Sequence, residues 1–261
     1  MNDLIDIERN RAVATLWLNR PDKHNAFDEH LIAAITDALR ELADDDSVRV
    51  VILAGRGKSF SAGGDLDWMR RAASYGYEQN RADAEQLAQM LRTLAELPKP
   101  TIARVHGAAL GGGMGLACAC DIAAASERAF FATSEVRFGL IPATIGPYVV
   151  RAIGARQCQR YFQSAERINA ERARDIGLVH EVTSTDALDA KIAEITAALL
   201  ACGPQAQARA KRFISEISDR AIDAPLIAET TDAIASIRAT DEAREGLTAF
   251  LEKRAAAWAG T

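Results

Sequence analysis

The sequence predicts an α/β fold with a helical C-terminal region. Two short apolar runs, Val48–Leu53 and Thr101–Val105, each lead into a glycine cluster and then into a segment compatible with a helix. From Gly154 onward the chain turns helical, and between Pro204 and Trp258 almost everything reads as helix.

In chain order, residues 3–20 alternate well enough for two strands, VATLWLNR being the stronger, and Pro21 ends the second. Asp28–Ala43 places Leu31, Ile32, Ile35, Ala38, Leu39 and Leu42 on one helical stripe, with Asp28 as N-cap or first-turn acid. The run Asp44–Asp46 is a solvated turn before the strand Val48–Leu53. Tyr77–Leu97 is a helix ended by Pro98 and Pro100. Next come the strand Thr101–Val105, a glycine turn, an apolar helix through Cys120, a strand near Ile122–Ala125 and the short strand AFFA. Ala155–Ser164 and Asn169–Ile176 read as short helices, the second capped by Gly177. LVHEV is a short strand and Thr183–Leu200 a helix. Gly203-Pro204 breaks the pattern, and the rest divides into three helices near Asp223–Pro225 and Thr240-Asp241. A boundary near residue 203 separates a core, 1–203, from a helical region, 204–261. Phe213, Ile214, Ile217, Leu226, Ile227, Ile234 and Ile237 give that region apolar faces, to be covered by its own core or by a neighbouring subunit.

The composition narrows the class. The 261 residues are 49% hydrophobic and 26% charged, enough for a sizeable core in a soluble protein. A net charge of −5 argues against a nucleic-acid footprint. MNDLIDIERN is too charged for a signal peptide, and no apolar run is long enough for a membrane span, so a cytoplasmic protein is expected. Cys118, Cys120, Cys158 and Cys202 have no metal-ligand spacing. Cys118 and Cys120 read as small buried side chains, no metal is expected, and a reducing compartment fits.

The stretch ARVHGAALGGGMGLACACD, Ala103–Asp121, is where chemistry is expected. Backbone without Cβ atoms lets a ligand approach closely. The free N–H groups of a helix start favour an oxygen carrying negative charge, whether phosphate or a reaction oxyanion. The nucleotide fingerprints do not fit. G-x-G-x-x-G from Gly111 would need glycine where Leu116 stands, and a phosphate loop ending at Gly57-Lys58-Ser59 would need glycine where Ile52 stands. Taken alone, the glycines signify close helix–strand packing. The second glycine stretch, SFSAGGD, changes that weighting, because two strand-to-helix turns that both offer N–H groups can grip one oxygen between them.

FSAGGDLDWM together with HGAALGGGMGLACACDIAAASERAFFATSEVRFGLIP resembles the paired signature of the enoyl-CoA hydratase/isomerase, or crotonase, family. The likeness runs from LNRPDKHNAF to EGLTAFLEKR. It implies a crotonase-like spiral of ββα units and a C-terminal helical region that assembles trimers, often paired into hexamers. It implies an acyl-CoA thioester as substrate, with coenzyme A part of that substrate and no separate cofactor. Glu135 matches the family's second catalytic glutamate; read without the resemblance, it is a first-turn acid behind a Thr133 or Ser134 cap. The backbone N–H groups of Ala62 and Gly112 are expected to grip the thioester oxygen, with Gly63 and Gly64 beside it. Asp65 is read first as the cap of the next helix and also as part of the binding loop. Ala26 matches a position whose backbone meets the adenine region. Phe250 and Lys253 match positions that hold the nucleotide end across a subunit boundary. His24, beside a turn, is given no chemistry.

The departures carry information. The family's first catalytic glutamate is replaced by Gly115, which cannot transfer a proton and is expected to leave room for a bulkier or branched acyl group. Related hydrolases place an aspartate after the proline matching Pro142, where Ala143 and Thr144 stand here. The dehalogenases of the family also need an aspartate in this region, and no carboxylate occurs between Glu135 and Arg151. The string SEVRFGLIPATIGPYVVRAIG is similar to the bacterial methylglutaconyl-CoA and isoprenoid glutaconyl-CoA hydratases. The resemblance therefore implies hydration of a 2-enoyl-CoA, or the reverse. A Δ3,Δ2-enoyl-CoA isomerase and a non-catalytic acyl-CoA-binding protein are the alternatives.

Overall fold

The computed structural model describes residues 3–259. It opens with an antiparallel hairpin, β1 (Ile5–Asn10) and β2 (Val13–Leu18), with Asn10 opposite Val13. Ala14, Leu16 and Leu18 turn one face of β2 inward, while its alternate residues are only partly covered. Helix α1 (Glu29–Asp44) follows, and the Asp28 carboxylate accepts the Leu31 N–H at 2.8 Å, the predicted N-cap. The predicted stripe of α1 is buried from Leu31 to Leu42.

Strand β3 (Val50–Gly55) is buried at every residue, as expected for a strand flanked by parallel neighbours and covered on both faces. Then come β4 (Ser59–Ser61), α2 (Leu66–Ala72) and α3 (Tyr77–Ala95). The central run is β5 (Thr101–Val105), β6 (Ala108–Leu110), α4 (Gly112–Ala119), β7 (Ile122–Ser126) and β8 (Phe130–Ala132). Helix α5 (Gly146–Ser164) begins earlier than the predicted Ala155, but Gly154, at φ 73°, interrupts it just before that point. Then follow β9 (Ile168–Asn169), α6 (Ala170–Asp175) and β10 (Glu181–Thr183). Leu178 and Val179 are buried but lie outside β10, so the predicted strand is shorter. Helix α7 (Leu188–Leu200) starts later than predicted because residues 185–187 form a single 3-10 turn ahead of it.

Two sheets organise these elements. The larger has the order β1-β2-β3-β5-β7-β10, and every pairing after the hairpin is parallel. The smaller has the order β4-β6-β8-β9. In it β4, β6 and β8 run parallel, Ser61 pairing with Ala109 and Leu110 with Ala132, so their C-terminal ends emerge on one side. A crotonase-like α/β core meets this description. Each connection back from the smaller sheet passes through a helix or through a strand of the larger one.

Helix α4 packs into the angle between the sheets, and glycines permit its approach. A Cβ on Gly113 would overlap the Ser61 carbonyl oxygen and lie 2.9 Å from Ser61 Cβ. The C-terminal helices α8 (Pro204–Ile217), α9 (Ala224–Arg238) and α10 (Asp241–Leu251) begin at the predicted breaks, with Asp223 and Thr240 as N-caps. The last helix stops at Leu251 rather than running on to Trp258. Lys211 anchors α8 to the core through Asp121 at 2.8 Å, and Glu242 accepts the Gln205 and Ala206 N–H groups at its start. Leu226 and Ala249 are buried, but Ile214, Ile227, Ile234, Leu247, Phe250 and Leu251 are exposed. Among the described residues no helix is long and apolar enough to cross a membrane.

Because the obstacle at Gly113 is backbone, it cannot swing aside. Gly113→Ala should therefore lose about 1–3 kcal/mol of unfolding free energy in a urea titration. Gly76→Ala is the control: a Cβ there meets nothing within 4 Å, and its stability should match the parent's.

Candidate active site

Three parallel strands deliver three loops to one place. β4 runs into Ala62–Asp65, β6 into Gly111, and β8 into Thr133–Glu135. The first two loops touch: a Cβ on Gly63 would sit 2.9 Å from the Leu110 carbonyl oxygen. The third joins them through the Gly111 N–H, which donates to the Ala132 carbonyl at 2.8 Å. Gly63 (φ 86°) and Gly111 (φ 48°) take left-handed backbone, which explains glycine at both.

The first loop lies against the segment 24–27 in a short parallel ladder. The Ala62 N–H donates to the His24 carbonyl at 2.9 Å, the Phe27 N–H to Gly63 at 2.6 Å, and the Asp65 N–H to Phe27 at 2.7 Å. This corrects one expectation: the Ala62 N–H is already committed and is no free donor. Gly64 is the bridge partner of Phe27. In a parallel bridge the flanking residues make the bonds, so the Gly64 N–H faces away from the ladder. Among the described residues it donates to nothing. Gly112 opens α4 as its first residue, and its N–H lies among the unpaired donors of that helix start. Gly64 on the first loop and Gly112, the first of the unpaired donors of α4, are therefore free donors.

Asn25 holds the ladder in place, a role the sequence reading missed. It is fully buried at φ 55°, a left-handed conformation that asparagine tolerates. Its amide nitrogen lies 2.9–3.1 Å from the carbonyl oxygens of Arg56, Ser59 and Phe60, and its side-chain oxygen accepts the Arg20 N–H at 2.9 Å. Arg20 donates to the Ala26 carbonyl at 2.7 Å and pairs with Asp28 at 2.9 Å and Asp65 at 3.3 Å. Ala26 is buried, and its N–H also bonds within the turn, to Lys23. Asp65 caps α2 as predicted, accepting the Asp67 and Trp68 N–H groups at 2.8 and 3.3 Å. Burial opposes its charge, but those N–H groups, Lys23 and Arg20 outweigh it and hold its carboxyl below the ordinary range. Met69 and Trp68 brace Gly64 from α2, and Trp68 Nε1 donates to Asp83 at 3.1 Å. His24 Nδ1 and Ser59 Oγ share a hydrogen bond at 3.1 Å, a structural role for this histidine.

Glu135 stands beside this pair of loops. A Cβ on Gly111 would lie 3.2 Å from Glu135 Oε1. Neither expected cap is made: Thr133 Oγ1 donates to Tyr161 and Ser134 makes no side-chain cap. Glu135 Oε2 is buried without a hydrogen-bond partner. Burial pushes the Glu135 carboxyl above its ordinary 4.5, opposed only by its own backbone N–H. Arg137, on the same turn, turns its guanidinium to the Ala165 carbonyl at 3.0 Å.

Gly115 lies one turn along α4, its N–H bonded to the Gly111 carbonyl at 3.0 Å. The expected room there is absent. A Cβ on Gly115 would overlap Ile145 Cγ2 and lie 2.8 Å from Ile145 Cβ, and Ile145 is buried. Phe250 and Lys253 are exposed at the far C-terminal end, so within one chain neither is covered by the core. All four cysteines are free thiols, and burial pushes that of Cys118 up to about 12.

A half-buried carboxyl with one oxygen shielded from water, beside two loops with free N–H groups at the ends of parallel strands, defines an enzyme site for chemistry that builds charge on an oxygen. The chain matches the family model "Enoyl-CoA hydratase/isomerase" over residues 8–261 and belongs to that family. The crystal structure of an enoyl-CoA hydratase from Shewanella pealeana superposes with a TM-score of 0.96 at 44% identity, covering 98% of this chain and 96% of that one. The crotonyl-CoA hydratase of Syntrophomonas wolfei is 34% identical over 254 residues, 97% of this chain and 96% of its own. The 2,3-dehydroadipyl-CoA hydratase of Escherichia coli is 31% identical over 257 residues, 97% of each chain.

The raised Glu135 pKa has a sign that stability can read. A carboxyl raised on folding contributes stability below the ordinary 4.5, and loses it as pH rises through the folded value. Glu135→Gln removes that penalty. Paired denaturation curves should show the variant gaining on the parent as pH rises from 4.5 through the folded value, with a flat difference above it.

Proposed function

We propose that this protein adds water to the double bond of a 2-enoyl-CoA thioester, and removes it in reverse, with Glu135 as the one acid–base group. The observation that carries this reading is the half-buried Glu135, whose Oε2 is buried without a partner, beside Gly111 and next to a helix start. The thioester oxygen gains negative charge as water adds to the β-carbon. Donors fixed in advance at Gly64 and Gly112 stabilise that charge more than the ground state. Glu135 as carboxylate takes the proton from the attacking water, and as carboxylic acid it delivers a proton to the α-carbon. A carboxyl raised above its ordinary value by burial is a stronger base toward water than an exposed carboxylate, and once protonated it can return the proton to carbon.

The substrate class we favour is a branched or glutaconyl-type enoyl-CoA of acyl, leucine or isoprenoid breakdown, supported by the string from Ser134 to Gly154. The adenine end would lie by Ala26, with the Gly63–Asp65 loop under the thioester. The exposed apolar residues of α8–α10 support a homotrimer or hexamer, in which Phe250 and Lys253 of a neighbour meet the nucleotide end. The closed position at Gly115 also favours a second reading, Δ3,Δ2-enoyl-CoA isomerisation, which needs one carboxylate and no held water. Product analysis with a 2-enoyl-CoA and a 3-enoyl-CoA separates the two.

Glu135→Gln keeps shape and removes the base. Steady-state hydration should fall by roughly 10²–10⁴-fold while product binding is retained. A variant with near-parental rates would move the proton transfers to another group.

A further inference from the structure

We infer that Ile145 is the positioning partner of Gly115: its buried side chain fills the place that an acid at 115 would need and leaves Glu135 as the ionisable group along this turn of α4. This rests on the active site proposed above. Residue 111 meets Glu135 and residue 115 meets Ile145, and one hydrogen-bonded turn of α4 separates them. Glu135 and Ile145 therefore line the same helix one turn apart, a carboxyl followed by a hydrocarbon. Ile145 is 2% exposed and stands at the N-cap of α5, where its carbonyl accepts the Val149 N–H at 3.1 Å. Its Cγ2 belongs to a β-branched side chain with few rotamers, so it cannot swing aside as a long flexible chain would. Any side chain at 115 requires Ile145 to shrink, and the two positions form a coupled pair.

The consequence is chemical. With Ile145 in place, Glu135 is the ionisable side chain along this turn of α4, and glutamate cannot be installed at 115 by one substitution. Among the described residues no charged side chain acts on Glu135 from α4, from the turn after it or from α5.

The test is a double-mutant cycle on the full-length protein: Gly115→Ala and Gly115→Glu, each alone and combined with Ile145→Gly. Ile145→Ala serves as a milder partner if glycine weakens the start of α5. Melting is read without substrate. Both single changes at 115 should lower the melting midpoint, Gly115→Glu more, and each should cost less when Ile145 is truncated. The second arm is the pH profile of kcat/KM with crotonyl-CoA. The parent should show one acidic limb, and Gly115→Glu/Ile145→Gly should show a second ionisation that the parent and Ile145→Gly lack. If the cost of Gly115→Ala is the same with and without Ile145, the coupling is refuted. A double variant that melts cooperatively and keeps a single limb refutes the claim that Ile145 occupies the place of a second acid. Lack of turnover in the parent counts against the hydratase reading alone, because the melting arm still decides the coupling.

Discussion

The structure depends on the parallel pairing of three very short strands, β4, β6 and β8. Each spans three residues, yet together they set where two donor loops and one carboxyl emerge. Ligand sites in parallel sheets gather beyond the carboxyl ends of the strands, because every connecting loop leaves on that side. So short a pairing holds only because its surroundings press on it. α4 sits against Ser61 through Gly113, and the loop at Gly63 sits against Leu110. Asn25 ties the turn before α1 to the strand below it through the Arg56, Ser59 and Phe60 carbonyls. Loss of that amide would strand buried acceptors, each costing about 1–3 kcal/mol.

Electrostatics follow from this packing. The first loop spends some of its N–H groups on the ladder with residues 24–27, which leaves Gly64 aimed elsewhere. The start of α4 has no carboxylate or hydroxyl cap, because Gly111 stands at its N-cap. Uncapped N–H groups and a helix dipole make this end receptive to negative charge on a substrate oxygen. Glu135 is then the exception in its neighbourhood: a carboxyl with one buried, unpaired oxygen and no cation to hold it ionised. Asp65, a few residues from the same donors, is held ionised by N–H groups, Lys23 and Arg20. The two carboxyls are pushed in opposite directions, which separates a structural cap from an acid–base group.

Much of this was legible in the sequence. The helical stripe of α1, its Asp28 cap, the Asp65 cap, the breaks at Asp223 and Thr240, and the two glycine turns are local signals, and the structure reproduces them. The donor on the first loop was not legible. Whether the Ala62 or the Gly64 N–H is free depends on which strand the loop pairs with, and that partner, residues 24–27, is distant in sequence. Asn25 was missed for a related reason: its acceptors lie about thirty residues ahead in the chain. The glycine at 115 was read as open room because a sequence shows a missing side chain and not the neighbour that fills its place. Ile145 comes from another helix start, and only the packing of α5 on α4 reveals it.

The central claim is that one carboxyl serves both proton transfers across one face of the double bond. Hydration of crotonyl-CoA in deuterium oxide, with the 3-hydroxyacyl product analysed by proton NMR, tests it directly. A single group beside one face places the deuterium on the α-carbon and the hydroxyl on the β-carbon from the same side, and one diastereomer is predicted. Addition from opposite faces, or a mixture of the two diastereomers formed in the first turnover, would contradict the account.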